Sequence, residues 1–177
     1  MLFSERSLWT MVHGIGLGGA ALLALAAALF AMYLLSERDV WASGAGDASG
    51  PVAGLTAFTA LMLWLTSIVG TFVVFPPYRA TPPEGTTDLA AYPRSMVLSS
   101  PETAWLHAFG METKEHLPWI ATMLATTVAF VAWRYREQLF QDRHLRRMGT
   151  LMLVLCFLTV VYVSMLGVFV NKVAPLW

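Results

Sequence analysis

No Asp, Glu, Lys or Arg occurs between residues 7 and 36, a run of 30 residues, and three more such runs follow at 48–78 (31), 116–133 (18) and 148–171 (24). This spacing of charge constrains the fold more than any motif does. About 20 apolar residues cross the hydrocarbon core of a bilayer as an α-helix, because a rise of 1.5 Å per residue must cover roughly 30 Å. Each run meets or nearly meets that length. Inside lipid the backbone has no water to bond, so a spanning segment closes its own hydrogen bonds as a helix or joins a closed barrel. The runs lack the two-residue alternation of barrel strands. The expected fold is an all-α integral membrane protein, one membrane domain over residues 1–177 with spans at about 7–36, 48–76, 116–134 and 148–171.

Composition agrees and excludes the alternatives. Hydrophobic residues make up 57% and charged residues 12%, half the globular share of about 25%, which rules out a disordered chain, a coiled coil and an ordinary soluble enzyme. Eleven basic and eleven acidic residues cancel, so no basic surface calls for nucleic acid. Cys156 is the one cysteine, which excludes an internal disulfide, a cysteine-ligated cluster and covalently attached haem. In its apolar run it reads as a small hydrophobe. Six tryptophans, Trp9, Trp41, Trp105, Trp119, Trp133 and Trp177, fall near run ends or in flanking segments, where an amphipathic ring prefers to sit; Trp64 lies inside a run.

The first run is far longer than the apolar core of a signal peptide, and its leader balances Glu5 against Arg6, so it is expected to stay as a span. Segment 134–147 holds five arginines, which places it in the cytoplasm by the positive-inside rule. Both termini and the long segment 77–115 then face outward, to the periplasm if the membrane is a bacterial inner membrane.

That long segment is the expected seat of function. Seven of the nine prolines lie between 76 and 118, and a connection of this length inside a compact protein is usually functional or disordered. Order is expected, partly as helix. Ser100-Pro101-Glu102 offers an N-cap, a first-turn proline and a first-turn acid, and Trp105, Leu106 and Phe109 supply an apolar side. An interfacial helix leading into the third span follows, with Pro118 in the first turn of that span.

The histidines set the chemistry. The first and third spans begin on the same side, so His13, His107 and His116 gather at one end with Glu112, Lys114 and Glu115 beside them; only His144 lies across the membrane. At helical spacing Gly16, Ala20, Ala24 and Ala27 follow His13 in a stripe of small residues, which lets a flat cofactor or another helix come close. Two imidazoles on facing helices can hold a haem iron. The expectation is a b-type haem near the outer face, its iron held by His13 and His116 with His107 as substitute for either. Gly16 then clears space, and Glu112 orients His116 or exchanges protons with quinone.

The function expected on this basis is a membrane subunit of a respiratory or photosynthetic electron-transfer complex, relaying electrons to or from quinone. Such a chain is a relay subunit more than an enzyme alone. Its partners would be lipid, other membrane subunits and an outer-face electron-transfer protein. The competing reading is a cofactor-free structural subunit, with the ordered segment capping a partner. A mononuclear metal site from His107, Glu112 and His116 is a lesser alternative, because Glu112-Thr113-Lys114-Glu115-His116 lacks the paired histidines of a zinc hydrolase. Transport has no support from the uncharged runs.

Overall fold

The computed structural model describes residues 4–36 and 49–175. The loop between the first two spans, with Trp41, and the C-terminal Trp177 lie outside the described residues. Of the described residues 87% are helical and none is in a strand. In order, its helices are α1 (Glu5–Ser36), α2 (Gly50–Arg79), α3 (Pro93–Leu98), α4 (Pro101–Arg134), α5 (Arg136–Gln141) and α6 (Arg143–Val173). The four long ones are each long and apolar enough to cross a membrane.

These four form a ring in which chain neighbours are spatial neighbours: α1 packs on α2 and α6, and α4 packs on the same two. The seam is legible as a repeat. Buried positions step by four and three along α1 (Ala21, Leu25, Ala28, Met32, Leu35), α4 (Ala121, Ala125, Val128, Ala132) and α6 (Leu153, Cys156, Val160, Val163). An average step of 3.5 keeps one stripe facing the same neighbours, as in bundles whose helices cross at about 20°. Many of these positions are alanine. Lipid tails are as apolar as leucine, so close backbone approach and van der Waals packing, rather than escape from water, hold such helices together.

The hydroxyl and thiol side chains buried in the seam are satisfied. Thr56 and Thr59 are fully buried and return their hydroxyls to the carbonyls of Val52 and Leu55, at 2.8 Å each. Ser67 on α2 meets Thr122 on α4 at 3.1 Å, and the Cys156 thiol reaches the Ala121 carbonyl. At the arginine-rich end, Asp142 caps α6 by accepting from the His144 and Leu145 amides, and Arg146 donates to the Leu139 carbonyl.

The other end carries the start of α1 and the end of α6 and is closed by the α2–α4 connector. Tyr78, Val97, Leu106, Met111, Val170 and Ala174 form a second apolar cluster that seats α3 against the ends of α2, α4 and α6. Arg6 ties the assembly by donating to the Ala90 carbonyl (3.4 Å) and the Pro175 carbonyl (3.2 Å). Ser100 caps α4 with Pro101 at its first position, as its sequence predicts.

One boundary differs from expectation. The helix expected from Pro101 is not a separate interfacial element but runs unbroken through residue 116 into the third span, so Glu112, Lys114 and Glu115 lie within one long helix. Counting between charges stops too soon, because a helix runs on through polar residues when its neighbours shelter them. Pro118 is consequently interior to the α-helical stretch Glu112–Arg134. Having no N–H, it leaves the Lys114 carbonyl, four residues back, without its usual helical donor.

Candidate functional site

Each long helix contributes one residue to a layer of the bundle near the histidine end: His13 from α1, Gly70 from α2, Lys114 from α4 and Gly167 from α6. The layer pairs large polar groups with residues that have no side chain. A methyl group built on Gly70 would stand 2.6 Å from His13 Cε1, and one on Gly167 would stand 2.9 Å from Lys114 Nζ. Both distances are below van der Waals contact, so the imidazole and the ammonium each occupy the groove that a missing side chain leaves. Lys114 and His13 lie within electrostatic reach of each other, and the Thr66 carbonyl faces the imidazole.

Three of the four long helices widen close to this layer. Val12–Gly18 in α1, Gly70–Val74 in α2 and Leu106–Met111 in α4 are π-helical. Such turns are rare and concentrate at functional sites, because the extra residue re-aims side chains. In α1 the effect is direct. Gly18, five residues after His13, packs under the His13 carbonyl, whereas Gly14 and Gly16 point into open space. The expected His13–Gly16 stripe assumes α-helical spacing, which Val12–Gly18 does not keep.

The expected residues separate as follows. His13 is turned inward onto Gly70. His116 is exposed, and its Nδ1 lies 2.7 Å from the Glu112 carbonyl of its own helix. It follows Lys114 by two residues, about 200° around the axis, so Lys114 facing inward sends His116 outward. The two imidazoles do not face one another, and these positions do not fit a haem held between them.

Glu112 is exposed, and its backbone carbonyl makes the contact to His116. Both nitrogens of His107 are engaged: Arg94 Nε donates to Nε2 at 3.1 Å, and Tyr78 Oη lies 3.2 Å from Nδ1. Arg94 can only donate, so Nε2 accepts and the neutral ring carries its proton on Nδ1, donating to Tyr78. His107 therefore ties the connector to α2 and α4. No group of three or more His, Cys, Asp or Glu comes together as a metal cage among the described residues, and the mononuclear alternative from His107, Glu112 and His116 falls with that.

Sequence reasoning misses the central role of Lys114, which reads there only as a neighbour of the histidines. A signal is present nonetheless. Extending the buried stripe Ala132, Val128, Ala125, Ala121 backward by the same steps gives Pro118, Lys114 and Met111. Met111 is buried, and the Lys114 ammonium is packed among protein atoms although its side chain retains some accessible surface. Comparison with family models, curated proteins and solved structures returned no match.

Proposed function

We propose that this chain is an integral-membrane subunit of an electron-transfer complex, and that its working end is the His13–Lys114 layer under the ordered connector. The observation that carries this reading is an ionisable pair inside the bundle, one member from each of two long helices. Ionisable groups within a membrane span are costly and rarely kept without a task. Here they suit proton exchange with a lipid-soluble carrier such as quinone. The connector, latched through Arg94, His107 and Tyr78, covers the same end and offers a surface to an outer-face partner. The arginine-rich turn between α4 and α6 supports an arrangement with both termini outward.

The test is to tag the chain in its native membrane and solubilise it mildly. Co-purifying proteins are then identified, bound quinone is extracted, and a reduced-minus-oxidised spectrum is recorded. Redox subunits with quinone are expected, and Lys114→Met is expected to slow quinone-dependent turnover of that complex at least tenfold. Recovery of the chain with no redox protein and no carrier would refute the reading in favour of a structural subunit.

A further inference from the structure

Lys114 and His13 stand apart from the hydroxyl and thiol groups in the seam. Thr56, Thr59, Ser67, Thr122 and Cys156 all have partners. Lys114 makes no hydrogen bond and no ion pair among the described residues, and His13 Nδ1, shielded from the surface, has no hydrogen-bond partner there either. Native structures leave few such groups unsatisfied, and each one calls for an explanation. The acids nearest in sequence do not supply one. Glu112 is exposed, and Glu115 lies within electrostatic reach of Glu112, Arg79 and His116. An ammonium without a counter-charge in so apolar a setting is expensive, and an anion placed against it recovers much of that cost.

We propose that Lys114 and His13 form a binding site for the anionic oxygen of a lipid-soluble molecule. Lys114 Nζ supplies the charge, and an N–H of the His13 imidazole supplies a hydrogen bond from the facing helix. Gly70 and Gly167 keep the layer open enough for both groups to lie between helices. The flank of α1 beside it is bare: Gly14 and Gly16 are exposed, and no atom lies within 4 Å of where a methyl group on either would stand, so a ligand can approach sideways from lipid. Two sources carry this chemistry, the carboxylate of a free fatty acid and the oxygen of a semiquinone. The inference rests on reading the histidine end as the working end, and it names what that end would hold.

The experiment uses the full chain in nanodiscs of phosphatidylcholine. One arm measures the thermal midpoint with palmitate, using hexadecanol as the uncharged control. The other poises a quinone–quinol mixture and looks for a stabilised semiquinone by electron paramagnetic resonance. Palmitate at about 100 times its dissociation constant is expected to raise the midpoint by roughly 5 °C or more, with no such rise from hexadecanol. A semiquinone signal in the second arm identifies the carrier instead. Whichever response occurs should vanish in Lys114→Met, persist in Lys114→Arg and weaken several-fold in Gly167→Ala, which crowds the ammonium without removing it. Replacing a part-buried charge that no acid holds by methionine should not unfold the bundle, and Gly167→Ala decides the matter if it does. If neither arm responds, or a response is indifferent to Lys114→Met and Gly167→Ala, the site is refuted. A palmitate response in a chain that co-purifies with no redox partner would leave the site standing and remove the electron-transfer reading.

Discussion

Replacing Gly70 by alanine tests the geometry of the polar layer directly. The new methyl carbon would lie 2.6 Å from His13 Cε1 and 3.2 Å from both ring nitrogens. Carbon atoms in good contact sit about 3.5–4.0 Å apart, so the ring must retreat by roughly 1 Å against the helices that enclose it. Overpacking of this kind costs about 1–3 kcal/mol. Alanine in place of glycine returns up to about 1 kcal/mol through its better helix propensity, which leaves a net loss of roughly 0–2 kcal/mol. A number so close to zero would decide little, so the substitution is best made in two backgrounds. In His13→Ala the ring is gone, the methyl enters free space, and Gly70→Ala should be neutral or stabilising by about 1 kcal/mol. The coupling between the two positions is then about 1–3 kcal/mol. Equilibrium unfolding in mixed micelles, followed by circular dichroism, measures all four corners of the cycle. Effects of Gly70→Ala that agree within about 0.5 kcal/mol in the two backgrounds would mean that His13 does not fill the groove over Gly70, and the layer as described would be wrong.

Three further outcomes are expected. In a reduced-minus-oxidised spectrum of the intact complex, His116→Ala should leave any b-type band unchanged; a band lost in both His13→Ala and His116→Ala, with helicity intact, would mean that the two imidazoles turn to a common iron. Arg94→Ala removes the donor to His107 Nε2, and since a bond to a charged group contributes about 1.5–3 kcal/mol when buried and less in this half-exposed place, amide exchange over residues 80–99 should quicken roughly five- to tenfold. Unchanged exchange there would show that the apolar cluster around Val97 holds the connector alone. Single-cysteine labelling should reach Ser99→Cys from outside intact cells and Glu137→Cys only after permeabilisation, with buried Cys156 silent; labelling of both from one side would contradict a crossing by α4.

The spans are legible because desolvation acts on composition over long windows. Charge-free stretches of 18 to 31 residues leave few alternatives to a helix that closes its own hydrogen bonds. The cap at Ser100 and Pro101 is equally local and appears as its residues imply. The candidate site is half legible. His13 stands out for its place inside a run, whereas Lys114 is hidden by the rule that a charge ends a span.

What the residues determine by themselves is which segments become long apolar helices, and the step of four and three that marks their buried faces. Which groups meet is a tertiary matter. Three π-helical turns shift the register of side chains close to one layer, and no local pattern in the chain announces them. The turn in α1 brings Gly18 beneath the His13 backbone carbonyl, a spacing of five rather than three or four. In α4, Lys114 takes the inward position and His116 the outward one, since residues two apart on a helix face opposite ways. Glycines on two other helices then supply the space, so the layer exists only once all four helices are packed.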